Sequence, residues 1–370
     1  MEKSKISVIQ LFALMFMFNM GTSLIVAYGI VARKDAWLAI LLGMCGGMIL
    51  FSIYYYLFRQ YPNLPLTGYA RKILGKYLGW IVGLVYIVYF YYIAARNVRD
   101  FGGLLISSTL QETPLVAINL LLVLLMCYVV HHGIEVIGRT AEVFIVILFL
   151  FGLAGNLFIL VSGNIDINNL QPFLENGWTP IIETFLLDTT PFPFGEMIVF
   201  TMLLPYLNRG GLVKNVWLIS IVSSGLILCW TSSLNIAVLG VDTAERATFP
   251  TLSTVSTVNL LEFIQRLDAI VVFTMLITVF FKTSIFMYGA VIGVVDLFRL
   301  KDYQQILLPS GIIIIFLSLA MASNFTEHLE KGRETLRYYI HIPLFIIIPL
   351  FLLLVAIIRK MKSKSNTKLT

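Results

Sequence analysis

The chain has 370 residues, 59% of them hydrophobic and 12% charged, with a net charge of +6 at pH 7. A soluble domain carries about 25% charged and 45–50% apolar residues, so a single water-soluble core is excluded and an all-α integral membrane protein is expected. The basic excess does not point to nucleic acid, because in a bilayer protein the placement of Lys and Arg carries more information than their sum.

The first apolar run covers residues 6–31, behind a short basic tail from Met1 to Lys5. It is too long for a signal peptide and no small-residue cleavage motif ends it. Near its middle it is interrupted by Asn19-Met20-Gly21-Thr22-Ser23. Further apolar runs follow at 36–58, 78–106, 114–132, 134–161, 180–207, 214–239, 264–298, 304–323 and 338–358. With about 20 apolar residues needed per crossing, this predicts ten transmembrane helices. Residues 61–77, with Pro62, Pro65 and four bases, predict an amphipathic connection at the membrane surface. The segments 162–179 and 240–262 are external loops that either cover the outer mouth of a site or close helix ends. Residues 324–337 form a further external loop, and 359–370 an unstructured basic cytoplasmic tail.

The tails and even-numbered connections hold Arg71, Lys72, Lys76, Arg209, Lys214, Arg299, Lys301, Arg359 and Lys360. The odd-numbered ones hold fewer bases, among them Arg33, Lys34 and Arg246. Both termini are therefore predicted in the cytoplasm. Ten spans divide into five plus five (6–161 and 180–358) in one membrane domain over 1–370. Five is odd, so the second half starts on the opposite side of the bilayer. Run six is interrupted at Asp188-Thr189-Thr190-Pro191-Phe192-Pro193-Phe194-Gly195-Glu196. Breaks in helices one and six of an inverted repeat are the layout of the LeuT-like transporter fold.

Broken backbone inside a bilayer must be buried in protein or line a polar cavity. Gly21 permits close approach, and the hydroxyls of Thr22 and Ser23 can donate to a ligand or serve a packing notch. Pro191 and Pro193 remove donors, and a new helix N-terminus near Phe194 and Gly195 would attract an anion such as a carboxylate. A simple proline kink is the alternative. Phe192, Phe194 and Gly195 join the ligand-facing set, as does Tyr92 from the aromatic run 89–92.

Lys282 falls near the middle of run eight, where a charge costs at least about 2.5–3.5 kcal/mol and needs a partner or water. It either places a cation where sodium-coupled relatives bind their ion, or forms a structural salt bridge, with Glu196 a candidate partner. Thr283 beside it is counted with the ligand-facing residues. Arg96 and Asp100 are spaced i,i+4 and can pair on one face. Arg266 and Asp268 mark the outer end of run eight, and Glu135, Arg139 and Glu142 form an ion network. Gly43-Met44-Cys45-Gly46-Gly47 signals close helix contact, within the chain or with a partner. The histidines have no metal-like spacing, and the three cysteines read as small buried hydrophobes. No cofactor or enzyme motif is present.

Taken together, these motifs resemble the spore germination permease family, the B subunits of Ger-type nutrient germinant receptors. Pro191-Phe192-Pro193-Phe194-Gly195-Glu196 is similar to the family's helix-six signature. Gly133-Ile134-Glu135-Val136-Ile137-Gly138-Arg139 with Glu142 is similar to its helix-five start. Ile167-Asn168-Asn169-Leu170-Gln171-Pro172 with Gly177 resembles its external loop, and Arg266-Leu267-Asp268 followed by Phe281-Lys282 its helix eight. The resemblance implies a member of the amino acid–polyamine–organocation superfamily in the inner membrane of the dormant spore. It implies sensing of a nutrient, commonly an amino acid, with an A subunit and a lipoprotein C subunit as partners. The family's site carries over to Gly21, Thr22, Phe194, Gly195 and the surroundings of Lys282. One departure is that many members have a proline soon after the helix-one break, where this chain reads Leu24-Ile25-Val26-Ala27-Tyr28.

Overall fold

A computed structural model describes residues 5–208, 210–258 and 267–367. Arg209, Arg266 and the tail ends at 1–4 and 368–370 lie outside the described residues. All described elements are helical, and the one strand-like contact is an isolated bridge between Ile6 and Leu207. That bridge joins the start of run one to the end of run six, through Ile6 N–H to Tyr206 C=O at 3.0 Å and Asn208 N–H to Ile6 C=O at 3.2 Å.

Helix α1 (Val8–Met20) starts on a capping box: the Ser7 hydroxyl accepts from Gln10 N–H, and the Gln10 side chain accepts from Ser7 N–H. It ends at Gly21, whose φ of 27° only glycine adopts without strain. There follow α2 (Ala36–Gln60), α3 (Leu66–Leu74), α4 (Lys76–Ser108), α5 (Leu115–His131) and α6 (Ile134–Val161). Run six begins as α7 (Trp178–Thr184) and continues irregularly to Met202. The remaining helices are α8 (Val213–Leu239), α9 (Val241–Arg246), α10 (Pro250–Ser256), α11 (Asp268–Phe298), α12 (Gln304–Ala320), α13 (Phe325–Lys331) and α14 (Ile348–Thr367). Among the described residues, helical segments fall within each predicted span, and six helices, or seven with the bent pair α12–α13 counted as one span, are long and apolar enough to cross a bilayer.

Helix α11 is the axis of the bundle. Of its apolar stretch 83% is buried, against 11% for α6, so α11 packs on protein all round and α6 sits at the periphery. The glycine cluster of α2 serves contact within the chain: Gly43 abuts Thr189, Gly46 abuts Thr190, and a methyl on Gly47 would lie 2.5 Å from Phe194 Cβ.

Several expectations change. The connection 61–77 forms α3, whose apolar residues Leu66, Tyr69, Ala70 and Ile73 are buried in the protein, while Arg71 pairs with Asp296 at 2.6 Å. The predicted loop 324–337 is helical, with α13 bent 102° from α12. Asn324 caps α13 by accepting from Glu327 N–H at 2.8 Å, a pattern legible in Asn324-Phe325-Thr326-Glu327. The tail stays helical to Thr367. The Glu135–Arg139–Glu142 network divides, because Arg139 pairs with Glu135 at 2.6 Å while Glu142 accepts from Ser7 and Gln10 of the α1 cap. Cys45 faces outward rather than inward.

Candidate functional site

Two prolines without N–H groups explain the irregularity of run six. After Thr184 the helix widens into a π-helical stretch over Phe185–Phe194, leaves helical dihedrals at Phe192 (φ −119°, ψ 126°), and resumes as a tight turn series over Gly195–Met202. The Gly195 N–H, expected to be available to an anion, donates to the carbonyls of Thr190 and Pro191. Gly195 itself is packed beneath Phe345, and its carbonyl accepts from the Tyr54 hydroxyl at 3.4 Å. Phe194 is buried against Gly47. These two residues therefore serve packing between helices.

At the other break, the Gly21 carbonyl accepts from the Thr278 hydroxyl of α11 at 3.0 Å. A methyl group on Gly21 would lie 2.5 Å from Lys282 Cδ, so glycine is what lets the lysine pass. Further out, Thr251 donates to Leu24 C=O at 2.7 Å, tying α10 to the interrupted stretch.

Between the two breaks lies a cavity of about 130 Å³, several times the ~10–15 Å³ that one water needs. Helix one contributes Thr22, Val26, Ala27 and Tyr28; α4 contributes Ile93, Arg96, Asn97 and Asp100; run six contributes Leu187, Asp188, Phe192 and Glu196. Thr248 closes one side, and Leu329, Gly332, Leu336 and His341 close another. The Tyr28 hydroxyl donates to Thr189 C=O at 3.0 Å, and its ring meets Phe192 edge-on at 5.9 Å.

Charge is concentrated at this cavity. Lys282 Nζ lies 2.6 Å from Glu196 Oε2, with both side chains buried, as the salt-bridge alternative expected. The ammonium also lies 4.3 Å from the Phe192 ring centroid and 5.1 Å from that of Phe18, within cation–π range. Asp100 does not pair with Arg96. Its Oδ1 lies 2.7 Å from His328 Nε2, and Arg96 Nη2 instead donates to the His328 carbonyl at 3.2 Å. The short helix α13 is thus held on α4 from both its side chain and its backbone.

Of the sequence-derived residues, Thr22, Arg96, Asp100, Phe192 and Glu196 line the cavity. Lys282 and Gly21 stand directly behind them. Ser23 lines a separate space of about 20 Å³. Thr283 is fully buried in α11 and Tyr92 half-buried against the core, neither among the cavity-lining residues. Sequence reasoning missed Asn97, Tyr28, Thr248, His328 and His341. Asn97, next to Arg96 in a membrane helix, offered a signal; the isolated histidines offered none.

Comparison with known proteins agrees with this architecture. Residues 5–326 match the family model described as spore germination protein. The chain is 40% identical to spore germination protein KB of Bacillus subtilis (strain 168), covering 99% of this chain and 98% of that protein. It is 26% identical to spore germination protein YndE of the same organism, with 89% of each covered. Among solved structures, Mhp1, a nucleobase-cation-symport-1 family transporter in a closed conformation with bromovinylhydantoin bound, superposes with a TM-score of 0.70 at 12% identity, covering 88% of this chain and 74% of that one. MhsT in complex with L-phenylalanine superposes with a TM-score of 0.66 at 14% identity, covering 94% and 98%. Both share the LeuT-type fold with this chain.

Proposed function

This chain belongs to the spore germination protein family, and on that footing we propose that it is the nutrient-sensing membrane subunit of a germinant receptor. It crosses the spore inner membrane ten times with both termini in the cytoplasm. It binds a small germinant, an amino acid, in the cavity between the helix-one and helix-six breaks, and passes the change to A and C partner subunits. The observation that carries the reading is the cavity itself: a small space walled by both breaks and by α4, holding Arg96, Asp100, Asp188 and Glu196. Few soluble or lipid-facing roles would retain such a set of charges inside an apolar bundle. Sensing then requires that the germinant bind one conformation better than another, since equal affinity shifts nothing.

A second reading, a proton-coupled amino-acid transporter, is favoured by one observation. Glu196 lines the cavity with Lys282 paired directly behind it, as a coupling charge would stand. Purified protein in proteoliposomes separates the two. Amino-acid binding by thermal shift without accumulation supports the receptor. Accumulation that depends on a pH gradient would make the chain a working transporter, and absence of any binding would remove both.

A further inference from the structure

A second cavity, of about 120 Å³, lies beside the helix-one break, and none of its lining residues is shared with the charged one. Leu24 and Ile25 of the interrupted stretch line it, whereas Thr22, Val26, Ala27 and Tyr28 line the charged cavity. A few residues of broken backbone thus separate two spaces of opposite chemistry. Phe16 and Met20 of α1, with parts of α6, α8, α10 and α11, complete the second wall, and no charged side chain is among the described ones.

The amides at its edge are bonded within the chain. Asn235 Nδ2 donates to Thr251 Oγ1 at 3.0 Å, Asn235 Oδ1 accepts from the Thr254 hydroxyl at 2.8 Å, and Thr251 donates to Leu24 C=O at 2.7 Å. Asn156 donates to Gly152 C=O at 2.7 Å and accepts from Trp230 Nε1 at 2.6 Å, joining α6 to α8. These amides are spent on the protein itself, whereas a buried water needs about two to four polar partners. An apolar cavity of about 150 Å³ stays dry and takes guests such as benzene, so this space suits hydrocarbon.

The hydrocarbon at hand is the bilayer. Helix α6 is the peripheral wall, its apolar stretch 11% buried, with Leu153 and Leu157 exposed. Phe149 and Gly152 are exposed as well and also line the cavity, so the space reaches the lipid. Behind them α6 stands off from α11. A methyl on Gly152 would meet nothing within 4 Å, and one on Gly155 would come no closer than 3.9 Å to Ile270 Cγ2. Such a gap forfeits dispersion contacts on its walls unless something fills it. We propose that one acyl chain of a bilayer phospholipid enters beside α6, occupies this cavity and packs against Leu24 and Ile25 at the helix-one break. The site is independent of the nutrient-pocket reading.

The test uses the full chain in nanodiscs of phosphatidylcholine that carries a diazirine midway along one acyl chain. After irradiation and digestion, mass spectrometry locates the adducts. They are expected on Leu234, Val255 and Val271, which line the cavity and are buried, as well as on the exposed Leu153 and Leu157. Gly155→Phe puts a ring into the gap. It should cut the buried adducts at least about tenfold, the effect of denying burial to about two methylene groups, with those on Leu153 and Leu157 unchanged. Gly155→Ala leaves the gap open and should label as the unaltered chain does. Adducts confined to Leu153 and Leu157 in the unaltered chain overturn the proposal with no variant needed. Buried adducts that persist in a Gly155→Phe protein of unchanged melting point overturn it too, because the acyl chain would then reach those residues by another path.

Discussion

Lys282 and Glu196 face each other at 2.6 Å with side chains 0% and 3% exposed, and their contact joins α11 to the distorted run six. The same ammonium lies over the Phe18 and Phe192 rings and against Gly21. One side chain thus touches both breaks and Glu196, which lines the cavity, making it the mechanical link between that space and helix packing.

Removing one member of that pair leaves a buried charge without a partner. Lys282→Met is expected to destabilise the protein by about 3–5 kcal/mol. The double variant Lys282→Met with Glu196→Gln should recover much of the loss, because no bare charge remains. Melting points of the single and double variants in nanodiscs check this, and additive losses would count against direct pairing.

Gly21→Ala combines an unfavourable φ of 27° with a methyl 2.5 Å from Lys282 Cδ. A loss of about 1–3 kcal/mol is expected from the strained backbone alone, together with a blunted germination response. Gly152→Ala is the control: its added methyl meets nothing within 4 Å, so stability should hold or rise by about 0.5–1 kcal/mol on helix propensity. Thermal shifts that rank the two the other way would refute the packing assigned at Gly21.

The glycine face of α2 makes a similar prediction. Gly47→Val would drive its side chain into Phe194, and overpacking of this kind costs about 1–3 kcal/mol. Membrane levels of the variant should fall in a way that lowering the growth temperature partly restores. Normal stability would mean that α2 and run six do not touch there.

His328 holds α13 over the cavity through Asp100. His328→Ala should free that helix and expose the residues beneath it. Leu336, 2% exposed, reports on this when changed to cysteine in a chain whose Cys45, Cys127 and Cys229 have been replaced. Labelling by a membrane-impermeant maleimide should accelerate about ten- to a hundredfold, the value of a lost charged hydrogen bond of ~1.5–3 kcal/mol. An unchanged rate would show that α13 is held by other contacts.

The features legible in the sequence are those a short stretch of chain fixes for itself. Apolar length located the spans, and Gly21, Pro191 and Pro193 marked the breaks, because loss of a donor or of a Cβ acts on the local backbone whatever surrounds it. The depth of Lys282 along its span also called for a partner, and Glu196 was within reach of that argument. What the breaks do was not legible. The Gly195 amide bonds back to Thr190 and Pro191, which depends on how the widened turn closes. Asp100 takes His328, 228 residues away, over Arg96 four residues away, because pairing across helices is set by the rotation and depth at which packing leaves each one. The sequence by itself therefore determined where this protein meets the bilayer and where its helices fail. Only the tertiary structure decided which charges meet, since partners such as Asp100 and His328 stand 228 residues apart in the chain.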